Sequence, residues 1–278
     1  MNTQDIIQVA LQCAGLSAVP ADSGVVHPRS EVKKILTGID ITEAEMLLAR
    51  EIGADTVLLH HPTGGKPRMG GSEVMLDQIG QMVKAGVPIN KAQKALCKKR
   101  LGECTRRFHA LNVTRSADAA RCLGLGMVAC HTPADLIAEH FLQGFLDERF
   151  GRSPHATLDE ILQSLLGIPE YRHCLAGPVI RVGSPSSRCG KILVQFSGGT
   201  TGGPDVVKAF FDAGVGTLVM MHCPDDVIEA VKAQGMGNIV VAGHISSDSI
   251  GMNGLIRAIQ AQYPEVEIVR CSGLLEDC

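Results

Sequence analysis

Four strand-forming residues, Thr56-Val57-Leu58-Leu59, stop at His60-His61-Pro62, and Gly64-Gly65 follow. So short and abrupt an apolar run fits a strand buried in a sheet. In open α/β sheets, ligands bind just beyond the carboxyl ends of the strands. Imidazole is the commonest protein ligand for a metal near neutral pH. The dipeptide alone is equally compatible with two solvated histidines at a strand–loop junction.

The rest of the chain repeats this theme. Strand-like stretches fall at 35–40, 56–61, 127–131, 179–182, 191–196, 217–223, 238–244 and 266–270. Helix-like stretches lie between them: one opened by Thr42 as N-cap with acids in its first turn, then 72–85, 135–150, 204–213, 225–233 and 249–261. The basic stretch 88–111 has the spacing of a surface helix. Alternation of this kind specifies an α/β fold. There is also a short internal echo. Lys34-Ile35-Leu36 and Lys191-Ile192-Leu193 each open a strand–helix–Gly–strand unit. Aligned on Gly53 with Thr56 and on Gly214 with Thr217, His61 falls on His222. The echo is short enough to arise by convergence; if it is real, two related lobes face one another. The expectation is two related three-layer α/β lobes with mainly parallel mixed sheets and a metal site between them. The first lobe would span 1–130, a helical connection 131–175 and the second lobe 176–278.

Bulk properties remove several function classes. The net formal charge is −3, there is no Trp and there are only two Tyr. A phosphate-tracking nucleic-acid surface or a stacking platform for single strands is therefore not expected. No uncharged apolar run approaches the roughly 18 residues of a membrane span, and the first residues lack the basic start and apolar core of a signal peptide. A cytoplasmic protein without membrane partners is expected. The ten cysteines form no Cys-x-x-Cys pair, which disfavours structural zinc and iron–sulfur sites. Most are read as small buried hydrophobes.

Three clusters carry candidate chemistry. The first is His60-His61. The second is His131-Thr132-Pro133-Ala134-Asp135, where Pro133 fits a first helical turn; its plainer reading is an ordinary N-terminal acid. The third is Gly243-His244-Ile245-Ser246-Ser247-Asp248, with a plainer reading as a helix cap. Together His60, His61, His244, Asp135 and Asp248 offer three imidazoles and two carboxylates. That set suits two divalent cations sharing a bridging carboxylate and a bridging water, and Zn, Mn, Fe or Co would serve. The Gly-rich stretch 197–203 follows a strand and precedes a helix, so the backbone of Ser197, Gly198 and Gly199 is a candidate anion cradle. It lacks the Lys and spacing of a P-loop, and its plainer reading is a flexible loop.

On these motifs the chain resembles the NGG-one-interacting factor three-like family of dinuclear-metal proteins. Gly53 to Pro62 matches the family's Gly-Ala-Asp-x-x-x-x-His-His-Pro strand end, and His131, Thr132 and Asp135 match its His-Thr-x-x-Asp. Gly243 and His244 match its Gly-His-x-x-x-Glu, with Asp248 where Glu is usual. Asp22-Ser23-Gly24-Val25 stands in place of its Asp-Asn-x-Gly-Leu. The resemblance implies metal ligation by His60, His61, Asp135, His244 and Asp248, two α/β lobes, and a ring-shaped homo-hexamer with its metal sites facing an internal cavity.

Two functional readings follow. One is a metal-dependent hydrolase using a hydroxide held between the cations on an unknown small-molecule substrate, with His131 and His222 as candidates for orientation or proton transfer. The GTP cyclohydrolase label common in the family fits that chemistry, but nothing in this sequence selects a purine. The other is a non-catalytic protein that binds or delivers metal, or serves as an interaction scaffold.

Overall fold

The computed structural model describes residues 1–153 and 155–276 of the chain. Helix α1 (Thr3–Ala14) precedes strands β1 (Ser23–His27) and β2 (Lys34–Gly38), then α2 (Glu43–Glu51) and β3 (Thr56–Leu59). Helices α3 (Gly65–Met69), α4 (Asp77–Ala85), α5 (Ile89–Cys97), α6 (Arg100–His109) and α7 (Arg115–Leu123) lead to β4 (Gly126–Cys130) and α8 (His131–Phe150). After α9 (Leu158–Leu165) and α10 (Pro169–His173) come β5 (Val179–Val182), β6 (Ile192–Gln195), α11 (Pro204–Asp212), β7 (Thr217–Met220), α12 (Asp225–Gln234), β8 (Asn238–Val241), α13 (His244–Gln262) and β9 (Glu267–Cys271).

Two sheets form, in strand orders β1-β4-β3-β2-β9 and β5-β8-β7-β6. In the first, β2, β3 and β4 are parallel and β1 lies antiparallel on β4. In the second, β6, β7 and β8 are parallel and β5 lies antiparallel on β8. The repeated connectivity gives the sequence echo a structural counterpart, down to a register irregularity in each antiparallel edge strand. Each sheet has helices on both faces. Residues of α1 and α13 cover one face of the first sheet, and Met46, Ala49 and Ala120 cover the other. Residues of α8 and α9 cover one face of the second, and α11 with α12 cover the other.

Several sequence-based boundaries move. The terminal strand β9 does not stay with residues 176–262; it returns to the first sheet and pairs with β2. The 88–111 stretch is two helices, not one on the surface. Ala92, Leu96 and Cys104 pack into the core against Val206 and Phe210 of α11, so a segment of the first 130 residues completes the second sheet's cover. The glutamate of the α2 cap acts as acceptor: the Thr42 amide and hydroxyl both donate to Glu45, at 2.7 and 2.6 Å. Of the nine described cysteines, all free, only Cys104, Cys130 and Cys189 are buried; Cys13, Cys97 and Cys122 lie on the outward faces of their helices. Cys278 lies outside the described residues.

Helices α8 and α13 start earlier than periodicity suggested, at His131 and His244. Pro133 fits inside the first turn of α8 because amides there have no intrahelical acceptor. These two helices form the layer shared by both sheets. Ala134 of α8 belongs to the first core and Ala138, Leu142 and Leu146 to that of the second. They meet backbone to backbone: a Cβ on Gly251 would lie 2.1 Å from the Ala134 carbonyl oxygen.

Candidate metal centre

Parallel strands end on a common edge, and the histidines that follow β3, β4, β7 and β8 converge. His60 and His61 continue the β2–β3 pairing beyond the strand, their amides donating to Gly38 and Ile39 at 3.1 and 3.0 Å. The rings of His60 and His61 are 4.7 Å apart, His60 and His131 4.8 Å, His61 and His244 5.1 Å, and His244 and His222 4.8 Å. Gly243 makes the last approach possible. Its φ of +120° is strained for any residue with a side chain, and a Cβ would sit 2.5 Å from Ser246 Oγ.

Each helix start then adds an acid one turn on, so that His131 and Asp135, and His244 and Asp248, share a face. Asp248 is the hub. Its Oδ1 lies 3.4 Å from His60 Nε2, and its Oδ2 lies 3.4 Å from His61 Nε2 and 3.6 Å from His244 Nε2. Asp135 Oδ1 is 3.5 Å from His60 Nε2. Two donor groups thus share one carboxylate: His60, Asp135 and Asp248 on one side, and His61, His244 and Asp248 on the other. The aspartate, one methylene shorter than the family's glutamate, reaches both. His60, His61 and His131 make a third grouping of donors, all within 4.8 Å.

His60, Asp135 and Asp248 are almost wholly buried. Five of their atoms have no hydrogen-bond partner: both ring nitrogens of His60, Oδ1 of Asp135 and both oxygens of Asp248. The Cys130 backbone and the Asp22 carboxylate favour the His60 ring's charge, but neither gives it a hydrogen bond. Orphaned polar atoms at this density cost about 1–3 kcal/mol each, more where charged. A cation is the partner that imidazole nitrogen and carboxylate oxygen can share, so the residues fit a metal.

The outer contacts orient these donors. His61 Nδ1 is 2.8 Å from Asp40 Oδ1, and His131 Nδ1 is 2.9 Å from Asp22 Oδ2. His61 Nδ1–H donates to Asp40 and leaves the Nε2 lone pair free, the usual arrangement around a metal-ligating imidazole, whereas His131 donates to Asp22 as a charged ring near pH 7. Asp22 also accepts from Thr132 Oγ1 at 2.8 Å and Ser23 Oγ at 3.1 Å. Burial, reinforced by neighbouring histidines, pushes His60 well below the ordinary histidine range and His61 down to about 4. Desolvation likewise lowers His222 and His244, so these rings are neutral donors near pH 7. Burial raises Asp135 and Asp248. His131 goes the other way: burial opposes its charge, but Asp135 and Asp22 outweigh it and push it up to about 10.

The five anticipated ligands therefore lie together, and His131 sits among them. His222 is exposed at the rim and belongs to none of the donor groups. The anticipated anion cradle narrows. The Ser197 amide and hydroxyl both donate to Glu139 at 2.9 Å, and Gly198 packs on Gln78, so from this loop Gly199, Thr200 and Thr201 line the space beside the histidines. Sequence reasoning missed Asp40 as an orienting group. Its position two residues beyond β2, next to the strand bearing His61, was the available signal.

No family model matches the chain, and no curated protein matches it. Among solved structures it is similar to a NIF3 superfamily protein from Sphaerobacter thermophilus, at 33% identity over 99% of both chains with a TM-score of 0.93. Fold-level similarity extends to reduced HcgD from Methanocaldococcus jannaschii, at 13% identity over 97% of each chain and TM-score 0.60. It extends also to a Bacillus cereus protein related to NIF3, at 14% identity over 100% of this chain and 98% of that one, with TM-score 0.50.

Proposed function

The chain belongs to the NIF3 superfamily, and on that premise we propose that it binds two divalent cations and hydrolyses a small molecule with them. The observation that carries this reading is the convergence of five orphaned buried atoms on His60, Asp135 and Asp248. His60, Asp135 and Asp248 would hold one cation, and His61, His244 and Asp248 the other. Divalent cations in such a pair supply Lewis acidity and make water a nucleophile at neutral pH.

The remaining residues act around that centre. Asp40 and Asp22 fix the ring orientations of His61 and His131 by accepting from Nδ1. His222, neutral near pH 7 and open to the cavity beside His244, would accept a proton at the mouth of the site. Hydrolysis is favoured over storage because His61 and His244 open onto a cavity of about 510 Å³, a volume in the range of small-molecule sites. A ring-shaped homo-hexamer remains the proposed assembly on the family resemblance, and light scattering checks it.

The test has two arms. Elemental analysis of the full chain purified without chelator should find two cations per chain, and His60→Ala/His61→Ala should lose them. Equal, near-zero metal in both preparations would sink the reading. Turnover is then screened on phosphorylated nucleotides and small amides with Mn²⁺, Zn²⁺, Fe²⁺ and Co²⁺. A filled site that turns over none of them would favour metal delivery instead.

A further inference from the structure

The cavity above the histidines has a second wall whose chemistry the metal donors do not use. Arg68 of α3 and Arg100, Arg107 and Phe108 of α6 line it together with His61 and His244. On α6, Arg100 and Arg107 are seven residues apart, two turns along one helix face. Among the described residues, Arg68 and Arg107 make neither a hydrogen bond nor an ion pair. Arg100 is held only through its Nε, which donates to the Thr201 carbonyl at 3.0 Å; the rest of its guanidinium is unpaired. The two carboxylates on the same cavity, Asp22 and Asp40, are already engaged by His131 and His61. Three guanidinium groups without an acid partner thus line one open cavity, in a chain whose net formal charge is −3.

We propose that this arginine wall binds the phosphate of a phosphorylated small-molecule substrate and presents its other end to the histidine face. The assignment of a substrate rests on the hydrolase reading above; the anion site itself does not. Guanidinium presents a planar fork of donors that matches phosphate oxygens, and forks from two helices suit a group with several charged oxygens better than a single carboxylate. The cavity size fits a small molecule, and Phe108, half-buried on the same wall, gives an apolar surface for the organic part. Gly199 and Thr200 also line it.

Inorganic pyrophosphate is the probe, titrated calorimetrically into the Mn²⁺-loaded full chain, with citrate as a carboxylate comparison. Arg68→Gln/Arg107→Gln should weaken pyrophosphate binding by about tenfold or more, with cation content and melting temperature unchanged, because neither side chain has a protein partner. Arg107→Gln alone, at an exposed position, should weaken it by about threefold. Pyrophosphate binding that persists in His60→Ala/His61→Ala and still falls with the arginine substitutions supports the anion site even if the wild-type chain holds no cation. The proposal is overturned if the wild-type chain does not bind pyrophosphate, if the arginine variants bind it as tightly as wild type, or if citrate binds equally well.

Discussion

Asp248 contributes one oxygen to each donor group, whereas His244 serves only one of them. That asymmetry gives a graded prediction. A cation at 1,000 times its Kd stabilises the folded state by about 4 kcal/mol. Unfolding entropy is about 2.1 cal/mol/K per residue, which over 278 residues comes to about 0.6 kcal/mol/K. Each bound cation should therefore raise the melting temperature by about 7 °C, and two by about 14 °C. Chelator should lower the wild-type melting temperature by that larger amount, lower His244→Ala by about half as much, and leave Asp248→Asn unmoved. Cation content by elemental analysis should follow the same order: two, one and none. A crossing is also expected. Burial makes ionised Asp248 costly in the stripped protein, so stripped Asp248→Asn should melt at or above stripped wild type while loaded wild type melts well above both. If His244→Ala and Asp248→Asn lost the same number of cations, or if chelator shifted Asp248→Asn like wild type, the shared-carboxylate arrangement would be wrong.

Three further outcomes follow. Gly251→Ala should destabilise the chain by about 1–3 kcal/mol and weaken cation binding, because its methyl group would meet the Ala134 carbonyl and push Asp135 away from Asp248; urea melts and metal titration check both. In chelator, stability should fall as pH drops from about 6.5 toward 4. His61 has a folded value near 4 against an unfolded value of about 6.5, so the unfolded chain takes up the proton first; His61→Gln should make that limb of the pH profile shallower in denaturant melts, the lowered His60, His222 and His244 supplying the rest. Gln78→Ala should cost about 1–3 kcal/mol, since its buried amide donates to the Gly198 and Thr200 carbonyls at 2.7 and 2.6 Å. Hydrogen exchange should then show faster opening of residues 197–203, and unchanged protection there would refute the anchoring role.

The sequence showed the site more clearly than the elements around it, for a physical reason. Strand ends are marked by a switch from apolar residues to His, Gly or Pro, and that switch is local: His60, His131 and His244 stand where such switches fall. Helix starts were harder to place. Periodicity placed them at 135 and 249, yet α8 and α13 open at His131 and His244, because the first turn tolerates the missing amide of Pro133 and Gly243 supplies the positive φ before α13. The apolar residues of α8 do not fall on one buried face either. Ala138, Leu142 and Leu146 are buried and Phe141 is 47% exposed, since a helix between two sheets buries more than one face and loses a single clean period. The arginine wall was invisible because Arg68 and α6 lie more than 30 residues apart and meet only through the fold.

The duplicated topology explains why the site lies between the lobes and why it is lopsided. Each half supplies a strand-end histidine and a helix that opens His-x-x-x-Asp, so pairing α8 with α13 brings Asp135 and Asp248 toward one centre. The halves differ at the strand end. Where the first lobe has His60 and His61, the second has Met221 and His222, on the alignment that places His222 opposite His61. Met221 is buried beside the site and offers at most a weak thioether donor. A second copy of the His60 group is therefore ruled out, and Asp248 turns toward the first lobe's histidines, with only His244 from its own half. Both proposed cations then depend on ligands from each lobe: Asp248 reaches His60 and Asp135 on one side, and joins His61 to His244 on the other. Metal binding and the docking of α13 on α8 become one equilibrium. Loosening the Gly251 crossing should empty both positions together, whereas removing His244 empties one.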